Sequence, residues 1–136
     1  MGKCCGREVK LLYACSGAAD VGEISDRVVR KLRTQGFGAM TCLAAVGAGF
    51  SGFVASAKGA DKNITIDGCS VACAKKTLEN LGVTPTAYVL TEMGLTKGQT
   101  PVTEEVINEV TNAILKGPCC STTAGVPTSC ACGGSC

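Results

Sequence analysis

Histidine is absent from this chain of 136 residues. Without an imidazole there is no Ser-His-Asp triad, no Cys-His dyad and no mixed Cys/His zinc site, so a metal centre would have to use thiolates, carboxylates or backbone groups. Tryptophan is absent too, and aromatics make up only 4% of the chain. Net charge is a mere +2, with Lys and Arg spread along the sequence; without a basic stripe, nucleic-acid binding has little support. No apolar run reaches the roughly 20 residues that span a bilayer. Met1-Gly2-Lys3-Cys4-Cys5-Gly6 lacks the apolar stretch of a secretory signal. Gly6 also stands where a myristoylation motif wants Ser or Thr. The expected setting is cytoplasmic, with neither membrane nor nucleic acid as partner and no protein partner identified.

Cysteine is plentiful. Eleven residues, about 8% of the chain, approach the density of secreted disulfide scaffolds. In a cytoplasmic chain such cysteines more often bind metal or do chemistry. The count is odd, so complete internal pairing is impossible.

Periodicity divides the chain into residues 1–8 as a flexible N-terminus, 9–117 as one α/β domain and 118–136 as a flexible tail. Val9 to Ala14 reads as a strand. Val21, Ile24, Val28 and Leu32 recur at helical spacing, with Asp20 as N-cap and Gly36 and Gly38 as the stop. Ala39 to Cys42 reads as a second strand, and Leu43 to Ala57 as one or two short helices. Asn63 to Asp67 reads as a third strand. Ser70 is placed to cap a helix over 71–81, with Val71, Ala74, Leu78 and Leu81 on its buried face and Gly82 ending it. Thr86 to Thr91 reads as a fourth strand. Thr103 caps a last helix with Glu104 and Glu105 in its first turn and Val106, Ile107, Val110, Ile114 and Leu115 facing inward. Alternation of this kind implies a three-layer α/β domain, Rossmann-like or flavodoxin-like, with about four parallel strands and helices on both faces.

Cys15, Cys42 and Cys69 fall 27 residues apart, and each follows the end of a different expected strand. Parallel strands place all three at one edge of the sheet, and Cys73 joins them in the next helix. Four convergent thiols suit a tetrahedral Cys4 zinc site, and Cys69-x3-Cys73 lies within zinc-ligand spacing. A tetrathiolate also suits an iron–sulfur cluster. The bland alternative is burial of isolated cysteines as small apolar residues. The competing chemistry is thiol–disulfide exchange, with Cys69 and Cys73 as attacking and resolving pair; the spacing is nevertheless not the thioredoxin C-x-x-C. An enzymatic role is left open, with binding preferred. The tail thiols Cys119, Cys120, Cys130, Cys132 and Cys136 could capture a soft ion and pass it to the core site.

The residues Ala14-Cys15-Ser16-Gly17, Cys42-Leu43-Ala44 through Gly49, Ile66-Asp67-Gly68-Cys69 and Ala72-Cys73-Ala74-Lys75-Lys76 together resemble the DGC-domain family, named for its Asp-Gly-Cys motif. The resemblance covers roughly residues 8–115. It implies zinc binding through four cysteines, here Cys15, Cys42, Cys69 and Cys73, with no reaction attached.

Other signals weigh less. Gly47-Ala48-Gly49-Phe50-Ser51-Gly52 spells G-x-G-x-x-G, with Asp67 about 20 residues on as the dinucleotide fingerprint asks. It lacks the first strand–helix turn as context, so a glycine-rich loop is the preferred reading and nucleotide binding a third-rank function. Ser16-Gly17 reads as a tight turn before an anion nest. Asp67 reads as turn chemistry before a base, and Glu92 and Lys75-Lys76 as solvated charges.

Overall fold

In the computed structural model residues 8–117 are described, as four strands and five helices. β1 (Lys10–Ala14), β2 (Ala39–Met40), β3 (Lys62–Asp67) and β4 (Thr86–Val89) form one all-parallel sheet in the order β2-β1-β3-β4. β1 pairs Leu12 with Met40 on one side and with Ile64 on the other, and β3 pairs Ile66 with Tyr88 of β4.

Period-two alternation sorts the central strands between two cores. Leu12 and Ala14 of β1, with Ile64 and Ile66 of β3, join a cluster with α1 (Asp20–Thr34) and α5 (Glu104–Leu115). Tyr13 of β1 faces the other way, towards α2 (Leu43–Gly47), α3 (Ser51–Gly59) and α4 (Cys73–Glu79). Burial on both faces is what a parallel sheet requires. The result is the three-layer α/β arrangement that the alternation of elements implies.

The two faces of β3 differ in chemistry. The α1 side is aliphatic, whereas the α3–α4 side presents Asn63, Thr65 and Asp67, all buried. Tyr13 donates its hydroxyl to Asn63 Oδ1 at 2.9 Å, and Asn63 Nδ2 donates to the Ala57 carbonyl at the end of α3 at 2.8 Å. Burial pushes the Tyr13 phenol up to about 12, so it is a neutral donor at physiological pH. Asp67 reaches α4.

Several boundaries differ from the sequence reading. β2 is only two residues long, and Cys42 lies beyond it at the N-cap of α2. The fourth helix starts at Cys73, not Val71, and Ser70 does not cap it. Val71 and Leu115, expected on buried faces, are 53% and 40% exposed. Asp20 is the first helical residue after the N-cap Ala19. Thr103 does cap α5, through Val106 N. The G-x-G-x-x-G residues run from the end of α2 into α3, with Gly49 at φ +77°, so no strand feeds them and the dinucleotide context is missing. Among the described residues no helix is long and apolar enough to cross a membrane. Cys4, Cys5 and the five tail cysteines lie outside the described residues.

Candidate functional site

The strand order reverses between β1 and β3, since β1 leads to β2 on one side and has β3 on the other. In open α/β sheets ligands sit beyond the carboxyl ends of the strands at such a switch. Cys15 follows β1 directly, and Gly68-Cys69 follow β3. The two segments are linked there: Cys15 N–H donates to the Ile66 carbonyl at 3.2 Å, and Gly68 N–H donates to Cys15 Sγ at 3.3 Å.

Backbone itself fills this switch point. A Cβ on Gly68 would lie 2.7–2.8 Å from Val21 and Gly22 backbone atoms, and one on Gly22 2.6–2.8 Å from those of Gly17. Only glycines allow the start of α1 to rest against both loops at this separation. Ser16 lies between them at φ +45°, its hydroxyl donating to Asp26 Oδ1 at 2.9 Å. The opening is displaced sideways, to the ends of β1 and β2, where a cavity of about 710 Å³ is lined by both Cys15 and Cys42.

Asp67 sets the position of Cys73. Its carboxylate is 1% exposed and accepts from Ala74 N at 2.7 Å and Lys75 N at 3.0 Å. It thereby does the work of an N-cap side chain across a left-handed Ala72 at φ 52°. An Asp-Gly turn gives no local hint of this, because the acceptor lies seven and eight residues before the amides it holds.

The third connection is made by residues 93–103. Asp20 Oδ1 accepts from Gly98 N at 2.8 Å and Oδ2 from Thr100 N at 3.0 Å, tying this loop to the start of α1. The Gly98 amide, with help from Val21 and Thr100, holds the Asp20 carboxyl below its usual range. The tie is therefore complete above the ordinary aspartate range near pH ~4 and is lost as pH falls through the lower folded value. Replacing Asp20 by Asn should speed amide exchange at Gly98 and Thr100 at neutral pH. It should also flatten the loss of the urea midpoint below about pH 4; an unchanged acid slope would show that another carboxyl carries it.

The same loop brings Lys97 Nζ to 3.8 Å from Cys69 Sγ. Nothing in the sequence near Cys69 signals a lysine 28 residues later. Cys15 and Cys69 are half-buried and Cys42 and Cys73 exposed, all as free thiols. Glu92, on the turn after β4, is exposed.

The structure thus brings Cys15 to Gly68, and Cys15 and Cys42 to one cavity, and places Cys69 beside Lys97. Among the described residues it gathers no three Cys, Asp or Glu side chains where they could hold one ion. The donor type suits a soft metal, but the present side-chain placement is not a closed tetrathiolate cage.

A family model for the DGC domain matches residues 11–114. One relative is the anaerobic and virulence modulator AnvM of Pseudomonas aeruginosa, 33% identical over 88 residues, which cover 64% of this chain and 67% of that protein. No solved structure matches.

Proposed function

The chain belongs to the DGC-domain family, and from that premise we propose that it binds a soft metal ion through the thiols of Cys15, Cys42, Cys69 and Cys73. Zinc is the first choice and an iron–sulfur cluster the alternative. The observation that carries the reading is positional: all four described cysteines lie beyond the carboxyl ends of three adjacent parallel strands. A chain without histidine offers a metal thiolates before any other soft donor. The exposed thiols, Cys42 and Cys73, would have to move towards Cys15 and Cys69 to complete a tetrahedron. The name of the Pseudomonas aeruginosa relative, which refers to anaerobic conditions, favours placing these thiols in metal or redox homeostasis.

The test is elemental mass spectrometry of anaerobically purified protein. One zinc per chain is expected in the wild type and in a chain ending at Gly117, and none in Cys69→Ser. Soft metal beyond one equivalent that disappears with residues 118–136 would assign the tail cysteines to capture and transfer. Metal-free protein in every case, or zinc that survives each of the four Cys→Ser changes, overturns the reading.

A second reading, a thiol–disulfide oxidoreductase using Cys69 and Cys73, is favoured by one contact, the Lys97 ammonium beside Cys69 Sγ. A hydrogen bond from a cation is stronger to a thiolate than to a thiol. The two readings separate on alkylation. Metal-held cysteines stay protected until a chelator is added, whereas a redox pair reacts at once.

A further inference from the structure

The cavity between the ends of β1 and β2 carries more than thiols. Its volume, about 710 Å³, falls in the range of roughly 300–1,000 Å³ typical of small-ligand sites. On the α1 side its lining includes Ser16, Asp26, Arg30 and Arg33, facing Cys15 and Cys42. Asp26 is already engaged. Its Oδ2 lies 2.6 Å from Arg30 Nε and its Oδ1 takes the Ser16 hydroxyl at 2.9 Å. Arg33 makes no ion pair among the described residues, and its side chain is exposed. The charged lining comprises two guanidinium groups and one carboxylate, an excess of one positive charge beside an exposed thiol.

We propose that this cavity is a binding site for a carboxylate-bearing low-molecular-weight thiol and its disulfide, a ligand of the glutathione class. Arg33 takes a carboxylate, for which the planar guanidinium fork is shaped. Arg30, turned towards Asp26 through Nε, keeps its other N–H groups for a second. The ligand's sulfur lies at Cys42, the more exposed of the two cavity thiols. The net charge of such a molecule, two carboxylates and one ammonium, complements that of the lining. The covalent step is an ordinary exchange. The Cys42 thiolate attacks one sulfur of the bound disulfide, the ligand's S–S bond breaks, and one half leaves as a thiolate while the other stays on Cys42 as a mixed disulfide. The small disulfide is the oxidant, and the proton given up by Cys42 goes to solvent or to the departing thiolate. This inference stands on the cavity and its arginines and does not require the metal reading.

The test uses the full chain, treated with chelator and reductant and then freed of both. It is offered oxidised glutathione, neutral 2-hydroxyethyl disulfide and cationic cystamine in turn. Each rate is normalised to that of a short unstructured thiol peptide, and the modified cysteine is located by peptide mapping. The expected result is first modification at Cys42, with oxidised glutathione favoured about tenfold or more over the neutral disulfide and cystamine disfavoured. Arg33→Gln should collapse that preference, read as the ratio of the oxidised-glutathione rate to the neutral reagent's rate in the same variant, to about twofold. Equal normalised rates in the wild type, an undiminished preference in Arg33→Gln, or first modification at another cysteine overturns the proposal. Since the chelated protein is used, these outcomes bear on the cavity, and metal content is read separately.

Discussion

Replacing Gly68 by Ala is expected to destabilise the protein by about 3 kcal/mol or more, the upper end of what overpacking costs. The added methyl would meet Val21 and Gly22 backbone at 2.7–2.8 Å, and main chain cannot swing aside as the tip of a lysine can. Relief requires either that α1 withdraw from the end of β3 or that the 67–69 turn lift. Lifting the turn breaks the Gly68 N–H to Cys15 Sγ contact. A loss of this size should lower the thermal midpoint by ten degrees or more in a domain of this length. Gly52→Ala is the matched control. Nothing lies within 4 Å of its would-be Cβ, the residue is helical, and alanine there should be neutral or slightly stabilising. Equal urea midpoints for Gly68→Ala and the wild type would show that α1 does not rest on this turn.

Asp67→Asn is expected to cost about 2–3 kcal/mol. The carboxylate holds two amides of α4 in a buried setting. Charge-assisted bonds of this kind are worth roughly 1.5–3 kcal/mol each. The side-chain amide of Asn can accept from one of these amides but presents N–H to the other. Asp61→Asn makes the same chemical change at an exposed position, where among the described residues the carboxylate accepts a single amide, Val9 N at 2.7 Å; it should cost less than about 1 kcal/mol. Chemical denaturation of the two variants side by side decides the matter, and equal losses would sink the assignment of Asp67 as the anchor of α4. The Asp of Asp-Gly-Cys is in this light a positioning residue, which sets where the helix carrying Cys73 begins.

The strand–helix alternation was legible because apolar runs and glycine stops are local signals. Cys15 follows Val9–Ala14, Cys69 follows Asn63–Asp67, and their placement at one edge needs only parallel strands. Contributions that arise across the fold were not legible. Ser70, with an N-cap side chain in the expected place, loses to Asp67, which approaches α4 from the strand below. Arg30 and Arg33 look like an ordinary solvated helix face in the sequence. They become a cavity wall because β2 stops after two residues and leaves Cys42 beside them. Lys97 meets Cys69 from a distant loop that Asp20 ties to the start of α1. Gly22 and Gly68 each have a local explanation, helix interior and turn, and neither reveals that they meet.

The pairing of β1 with β3 also imposes an order of events in time. Lys10 pairs with Lys62, and Cys15 Sγ waits for an amide 53 residues further along the chain. Closing a loop of that length is entropically costly and slows folding, because local contacts form first. During synthesis Cys15 and Cys42 both leave the ribosome before β3 exists. Until β3 arrives, Cys15 Sγ lacks the Gly68 amide and the edge lacks Cys69 and Cys73. The four-thiol edge is complete only once β3 has joined β1, so Cys69 and Cys73 are the last of the four described thiols to take their places.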